Sequence, residues 1–470
     1  MTKVKREEIR VRIAPSPTGF LHVGTARAAL FNWLFAKHHI GKFILRIEDT
    51  DLERSEKKYE DDIIAGLEWL GLKWDEFYRQ SDRLPIYKKY LDKLLKNGKA
   101  FWCYHSEEEL EAERQEQLRG KDLPRHVCEY KIKNEGSKGR GIIRFAVDEN
   151  SNRKIIFDDI IRGKVEFEEK LLGDFSIAKD ENTPLYNFVV VVDDYEMRIS
   201  HVIRGEDHIS NTPKQIILCE ALDIKLPQFA HLPLILGTDR TKLSKRHGGT
   251  SLIEFRDRGY LPEAMVNFLA FLGWRPAGVE REIITKNELI EKFDLRDIHR
   301  AGAVFDGKKL SWVNSQYLKL LNDEGLADIL VPYVEKYFGQ QGRDKLLKMS
   351  SILRERLQFL DQITDFHYFF RRPEVVTELI VWEKSDLAQA KKVLAEVVRW
   401  LEVKEMNSEE LKQSLETLAQ ADFKGDRGAV YWPLRVVLSG EKYSADPIQI
   451  FKIIGQTETR KRIELALTKI

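Results

Sequence analysis

Two strings of residues in this sequence carry side chains suited to polyphosphate chemistry. His22, Gly24 and Thr25 stand near the start; Lys242, Ser244, Lys245 and Arg246 come far downstream, in the run KLSKR. An imidazole can donate a hydrogen bond to an oxygen that gains charge as a phosphate linkage breaks, and lysine ammoniums can offset charge on the departing group. Gly24 has no side chain, so a flat base and ribose can lie against the backbone there. Thr25 can cap a helix. Read alone, HVGT also fits an ordinary βα turn and KLSKR a solvated basic turn, so the case rests on what surrounds them.

Other residues offer different chemistry. Arg12 and Arg204 both lie in apolar runs, and two guanidinium forks in one cleft suit an amino acid with two carboxylates. Glu48, directly after KFILRI, could hold an ammonium group or a metal. Cys103-x-His105 and Cys128-x-Tyr130, with His126 close by, offer sulfur and imidazole to zinc; two ordinary buried cysteines are the plainer reading.

Periodicity gives the elements that must position these groups. Val11 and Ile13 read as a short strand and Pro15, Pro17 and Gly19 as a turn. ARAALFNWLFAKHH then reads as a helix with Ala26, Ala29, Leu30, Trp33 and Leu34 on one face. A strand, turn and helix in that order present free backbone N–H groups and the positive end of a helix dipole, which suits phosphate. KFILRI has the unbroken apolar character of a buried parallel strand, and ligands of open α/β sheets bind at the carboxyl ends of such strands. Residues 59–70 form an amphipathic helix closed by Gly71.

From residue 84 to 184 charged helices give way to short alternating strands at 142–147, 154–157 and 164–167, the pattern of an inserted α+β subdomain. Within it, the loop at 134–141 with Arg162 and Lys164 could meet phosphates. The sheet resumes with YNFVVVV (186–192) as a strand, then a strand at 201–204, a helix through 212–222 and a last strand, HLPLIL, at 231–236. Beyond Ser251 the pattern is helical, with Gly and Pro stops.

With 470 residues and 43% hydrophobic content the chain can bury several cores. No apolar run approaches the ~18 residues that span a bilayer, and MTKVKREEIR lacks the apolar centre of a signal peptide. Three cysteines cannot build a disulfide framework, and a reducing cytoplasm fits. A net charge of +1 rules out a uniformly basic nucleic-acid coat, so any RNA must bind on local patches.

HVGT resembles the HIGH signature of class I aminoacyl-tRNA synthetases. RIAPSPTGFLHVGTARAALFNWLFA with FILRIEDTD is similar to the glutamyl-tRNA synthetase form of it, and the likeness runs on through YRQSDR, VIRGEDH, KLSKR, VFDGKKLSWVN and RGAVYWPLRVVLSG. The resemblance implies a Rossmann-type parallel-sheet α/β catalytic domain in two halves, 1–84 and 185–238. Around them it implies an α+β insertion (85–184) that holds the acceptor end of tRNA, a KMSKS loop with a helical stem-contact domain (239–321), and all-helical anticodon-binding domains (322–470).

The implied reaction joins L-glutamate to ATP, with Mg2+, as glutamyl-adenylate, then passes the acyl group to the terminal adenosine of tRNA(Glu). The family acylates the 2′-hydroxyl and needs tRNA before activation proceeds. By the same resemblance His22, Gly24, Thr25, Asp207, Ile235, Lys242, Ser244, Lys245 and Arg246 meet ATP. Arg12 with Tyr186 holds the side-chain carboxylate, Arg204 the α-carboxylate, and Glu48 with Ser16 the α-ammonium. Arg354 and Arg356 meet the anticodon. Some bacterial members bind zinc through Cys-x-Cys and Cys-x-His pairs, which would fall on Cys103, His105, Cys128 and Tyr130. This chain departs at His105 and Tyr130, and His126 is a possible substitute. A cytoplasmic monomer is the family expectation.

Rival readings are a form that also charges tRNA(Gln), or a glutaminyl-tRNA synthetase, which would carry β-barrel anticodon domains. A short tRNA-modifying relative, a small-molecule nucleotidyltransferase and an RNA-binding module with a dead site are more distant. The first two of these leave the C-terminal half without a role, and the third leaves His22 and Lys245 without one.

Overall fold

The computed structural model describes residues 8–51, 53–133, 141–244, 251–383 and 385–470. Lys245, Arg246 and all but Gly141 of the 134–141 loop lie outside them. The chain divides into two units, Met1–Arg256 with Pro262–Leu310, and Asp257–Leu261 with Ser311–Ile470.

In the first unit, β1 (Arg10–Ile13), β2 (Lys42–Ile47) and β3 (Glu76–Arg79) pair in parallel in that order. Helices α1 (Val23–His38) and α2 (Lys57–Trp69) make the crossovers, and Gly71, at φ +66°, turns the chain after α2. The sequence pointed to one apolar face on α1, but residues 29–36 are buried without a break. That marks a helix enclosed on all sides.

The inserted region begins with α3 (Leu84–Lys96) and carries α4 (Glu107–Arg119) and α5 (Tyr130–Lys133). Its strands are β4 (Ala100–Cys103), β5 (Ile142–Phe145), β6 (Lys154–Asp159), β7 (Gly163–Glu168), β8 (Phe175–Asp180) and β9 (Thr183–Pro184). β4, β5, β8 and β9 form an antiparallel sheet of their own. The β6–β7 hairpin does not join it.

After the insertion come α6 (Tyr186–Glu196), β10 (His201–Gly205), α7 (Thr212–Leu222), β11 (Gln228–Leu232) and β12 (Ile235–Leu236). β10 pairs in parallel with β11, and β11 in turn with β6, so the hairpin extends the second half-sheet. Two expectations fail here. YNFVVVV is the start of helix α6, because an unbroken apolar run reads alike for a buried strand and a buried helix, and residues 188–194 are buried throughout. The expected last strand is broken at Pro233, which has no N–H for a sheet ladder.

β10 starts beside β1, where Ser200 N donates to Arg10 O at 2.9 Å. The strand order changes direction between them, and a crevice at their carboxyl ends is where such sheets take ligands.

The second unit is built from helices Asp323–Phe338, Arg343–Leu353, Leu387–Val403, Ser408–Asp422, Arg427–Ser439 and Pro447–Leu467. Its core includes Leu330, Leu353, Val397, Leu415 and Val437. Among its described residues there is no strand, which leaves a β-barrel anticodon domain without support. No described helix is long and apolar enough to cross a membrane.

Candidate active site

A cleft of about 1150 Å³ opens between the carboxyl ends of β1 and β10. His22, Gly24, Thr25, Asp207, Ile235, Lys242 and Ser244 line one part of it, and Arg12, Ser16, Glu48, Tyr186 and Arg204 another. Every described residue expected at the nucleotide or amino acid is therefore on its wall.

His22, not Thr25, caps α1. Its Nδ1 accepts from Gly24 N at 3.0 Å, and its Nε2 lies 3.2 Å from Thr25 Oγ1 in the first turn. A backbone N–H can only donate, so Nδ1 carries the lone pair and the ring proton sits on Nε2. A Cβ on Gly24 would fall 2.7 Å from His22 Cε1, so glycine makes room here for the imidazole itself. Loss of hydration between the cleft walls, then the charge of Lys242, lower the His22 pKa, with Asp207 opposing. The ring is neutral near pH 7 and still has an N–H to donate.

The lysine segment is anchored on both sides. Lys242 pairs with Asp207 at 3.5 Å and bridges Leu236 through its backbone. Ser251 bridges His22, and Leu252 N donates to Leu21 O at 2.8 Å. Ser244 and Ser251, which flank the stretch holding Lys245 and Arg246, both line the cleft.

Beneath the cleft lies a buried ionic network. Arg12 Nε and Nη2 donate to the two oxygens of Asp194 at 3.0 and 3.2 Å. Arg46 Nη1 donates to Asp194 Oδ1 at 2.7 Å and Nη2 to Glu48 Oε1 at 3.1 Å; its Nε lies 3.7 Å from Asp193. Asp193 also accepts from Arg83 Nε at 2.7 Å and from Gln80 and Tyr87, each at 2.9 Å. Burial pushes the Asp194 pKa up, but Arg12 and Arg46 outweigh it and hold the carboxyl below its usual range. At Glu48 burial wins over the same two arginines and the pKa is raised.

Arg204 is held differently. Its Nε donates to His231 Nε2 at 3.2 Å and its Nη2 to Thr212 Oγ1 at 2.9 Å, while Nη1 is buried with no partner. Tyr186 places its hydroxyl 3.0 Å from His208 Nδ1. Burial raises the Tyr186 pKa and, with Arg204, pushes His208 down to about 4, so both are neutral.

In the insertion, Cys103 and His105 meet His126 and Cys128, with one ligand atom from each within 4.8 Å of all the others. The ring of Tyr130, named by the resemblance as the fourth member, packs 5.3 Å from that of His105. His126, two residues before Cys128, reaches back instead, with Nε2 3.6 Å from Cys103 Sγ and Nδ1 2.6 Å from Glu113. His105 Nδ1 lies 3.5 Å from Cys103 Sγ and 3.7 Å from Cys128 Sγ. Hydrogen bonds from Cys128, His126 and His105 push the Cys103 thiol down, and Cys128, sharing its proton with Cys103, is pushed up.

In the second unit, Arg354 donates to Leu321 O at 3.0 Å and pairs with Asp323 at 3.3 Å. Arg356 makes a longer contact, 3.4 Å, to Ser444 O. Arg162 is drawn inward, paired with Glu206 and donating to Arg300 O at 2.7 Å, rather than standing free for phosphate.

Sequence reading missed Arg46, Asp193, Asp194, Asp159, Thr212 and His231. The signal was available: two adjacent acids close the run VVVVDDY, and His231 opens HLPLIL. Polar groups set in runs that apolar must be buried, and buried charge needs a partner.

Comparison with known proteins agrees with this geometry. Residues 8–312 match the family model "tRNA synthetases class I (E and Q), catalytic domain", and residues 326–467 match "Anticodon binding domain". The glutamate–tRNA ligase of Aquifex aeolicus is 42% identical over 98% of this chain and 99% of its own length. That of Thermodesulfovibrio yellowstonii is 43% identical over 97% and 98%. Among solved structures, a glutamate tRNA ligase from Elizabethkingia meningosepticum, in complex with its amino acid, superposes with a TM-score of 0.87 at 34% identity. It covers 98% of this chain and 99% of its own. Sequence, cleft and fold concur, and the chain belongs to the glutamate–tRNA ligase family of class I tRNA synthetases.

Proposed function

We propose that this chain activates L-glutamate with ATP and transfers the glutamyl group to the 3′-terminal adenosine of tRNA(Glu). The observation that carries the choice of amino acid is the charge balance under the cleft. Arg12, Arg46 and Arg83 are paired with Asp194, Glu48 and Asp193, whereas Arg204 has no carboxylate against it among the described residues, which leaves its positive charge open to a ligand. Glutamate, with two carboxylates and one ammonium, neutralises it. Glutamine does not, and a site built for a buried ionic partner can reject the analogue lacking it by factors of ~10⁴.

In this reading Arg204 takes the α-carboxylate, Arg12 with Tyr186 the side-chain carboxylate, and Glu48 with Ser16 the ammonium. ATP lies over Gly24 and Thr25, against Asp207, Ile235 and Ser244, its Mg2+ travelling with the phosphates. Glutamate's carboxylate attacks the α-phosphorus and pyrophosphate leaves, so the protein's task is to align and to offset charge. His22 donates its Nε2 proton's hydrogen bond to the phosphate, and Lys242, Lys245 and Arg246 meet the departing pyrophosphate. Support for the last two is the anchoring of their flanks, Lys242 at Leu236 and Asp207 and Ser251 at His22. Arg354 and Arg356 meet the anticodon, Arg356 with the looser contact of its own.

We also assign a structural zinc to Cys103, His105, His126 and Cys128. The 3.5, 3.6 and 3.7 Å separations are close to the edge of a tetrahedron with bonds of about 2.0–2.3 Å. Both imidazoles also turn their other nitrogen to a carboxylate, His126 to Glu113 at 2.6 Å and His105 to Glu129 at 3.5 Å, as zinc-bound histidines do. The ion would pin the two ends of the arm together. A cytoplasmic monomer is our reading of its setting, taken from the family resemblance, and light scattering checks the second half of it.

ATP–pyrophosphate exchange tests the main reading. Exchange is expected with glutamate and not glutamine, and only when tRNA is present. Exchange indifferent to RNA would turn the assignment toward a small-molecule nucleotidyltransferase. Charging of purified tRNA(Gln) beside tRNA(Glu) would mark the non-discriminating form.

A further inference from the structure

We propose that His231 and Thr212, with Asp159 behind His231, are positioning residues for the amino-acid substrate: an uncharged clamp that fixes Arg204 while leaving its positive charge for the ligand's carboxylate. The inference rests on the reading of Arg204 given above and deepens it.

Register sets up the contact. Arg204 on β10 stands opposite His231 on β11 in a parallel ladder, so their side chains rise from the same face. Asp159 ends β6 on the far side of β11, and its Oδ2 lies 2.6 Å from His231 Nδ1. Asp159 is itself fixed by the backbone N–H groups of Ile161, Arg162 and His231, at 3.0, 2.8 and 3.1 Å.

Donor and acceptor roles at the guanidinium and the imidazole then follow. A guanidinium can only donate, so His231 Nε2 must present its lone pair to Arg204 Nε at 3.2 Å. The ring proton must be on Nδ1, and the carboxylate of Asp159 is placed to accept it. Thr212 Oγ1 likewise accepts from Arg204 Nη2, and its own proton lies between two acceptors, His208 O at 3.2 Å and the lone pair of His231 Nε2 at 3.1 Å. Burial and the nearby charge of Arg204 keep the His231 pKa low, against the pull of Asp159. All three partners of the relay are buried: His231 and Thr212 are 0% exposed and Asp159 is 3% exposed.

The chemistry of the clamp matters because a carboxylate in its place would also hold the guanidinium, but would neutralise it. That is the arrangement at Arg12, which shares both of its donating nitrogens named above with Asp194. Among the described residues no carboxylate pairs with Arg204. Its Nη1 is buried without a partner, and Arg204 is a lining residue of the cleft. An unpaired buried donor on a full charge is costly, and an incoming carboxylate removes that cost. Two neutral acceptors leave one nitrogen to the substrate, with no carboxylate touching the guanidinium among the described residues.

The test uses the full chain with saturating tRNA, and reads KM for glutamate and KM for ATP separately. His231→Leu removes the acceptor at Nε2, and His231→Gln puts an amide oxygen back near it. Thr212→Val is nearly isosteric, removes the second acceptor, and guards against the case in which the histidine variants do not fold. His231→Leu is expected to raise the glutamate KM about tenfold and Thr212→Val about threefold to tenfold, each with the ATP KM within about twofold. His231→Gln is expected to recover most of the loss. Unchanged glutamate KM in Thr212→Val, or equal rises in both KM values in every variant, overturns the clamp. Arg204→Lys separates the two levels of inference. If it leaves the glutamate KM unchanged, the reading of Arg204 itself fails. If it raises that KM while the clamp variants do not, only the clamp is wrong.

Discussion

At the cleft floor each buried carboxylate has a guanidinium against it, whereas in the Cys–His arm four lone-pair donors face one another with no lysine or arginine paired to any of them among the described residues. Both clusters belong to the first unit. The cleft is preorganised by its own chain: Arg46 alone joins Glu48, Asp193 and Asp194. The arm is arranged as if around a cation the chain does not supply. Their histidines differ in the same sense. Burial lowers the pKa of His22, His208 and His231 around the cleft, and of His201 at the other end of β10. At His126, burial is outweighed by hydrogen bonds to Cys103 and Glu113, and the pKa rises. The cleft thus pairs its own carboxylates in advance and leaves one guanidinium open, while the Cys–His group has no such internal counter-charge among the described residues.

The sharpest way to break this comparison is to unpair the cleft. Asp194→Ala leaves Arg12 and Arg46 without their shared partner, Arg46 being 0% exposed. Loss of one member of a buried ionic group costs about 3–5 kcal/mol. The urea midpoint is expected to fall accordingly. A loss below about 1 kcal/mol would mean that the network does not organise the floor.

The second effect is pH-dependent and reports on the neutral histidines. His201 is 8% exposed, packs 4.8 Å from the ring of Phe35, and has its pKa pushed down to about 4, by burial first and then by His39. Between the ordinary value near 6.5 and 4, the unfolded chain binds a proton that the folded chain does not. Stability therefore falls as pH drops through that window, and is fully present above it. The His201 share between pH 7 and pH 5 is about 2 kcal/mol. His201→Phe is expected to lose correspondingly less over that interval in urea titrations; an unchanged pH slope refutes the assignment.

Much of this contrast was legible in advance, but unevenly. The turn carrying His22, the strand carrying Arg46 and the helical second unit follow from periodicity and from Gly and Pro punctuation, which are local signals. Asp194 was not legible, because its role depends on YNFVVVV being a helix. Only then do Tyr186, Val190 and Asp194, four residues apart, rise on one side. Nor was the β6–β7 hairpin's place beside β11, since a strand pairing between distant segments leaves no mark on either one. His126 was in view only as a substitute. The family pattern fell on Tyr130, and only the chain's path through the insertion brings His126 to Cys103.

On the arm side, His126→Ala is expected to reduce bound zinc from one ion per chain to near none, measured by release to a chelating dye. Glu113→Gln acts one step out. The carboxylate fixes His126 from helix α4, which buries no residue of its own and is further held by Gln117, bonded to Arg125 N and O at 2.8 and 2.7 Å. Loss of an outer-shell carboxylate lowers metal affinity about 10–100-fold. Hydrogen exchange in α4 should quicken with it, while glutamate and ATP KM values stay put.

The smallest effect is the most discriminating for the ligand set. Tyr130→Phe deletes the only atom by which that residue could bind a metal, while keeping the ring that packs 5.2 Å from Tyr104 and 5.3 Å from His105. If His126 is the fourth ligand, zinc content and affinity should match those of the parent within about twofold, and the arm's exchange protection should not change. A phenolate is an uncommon zinc ligand beside thiolate and imidazole, whereas the imidazole of His126 already stands 3.6 Å from Cys103 Sγ. Loss of zinc in Tyr130→Phe with retention in His126→Ala would reverse the assignment.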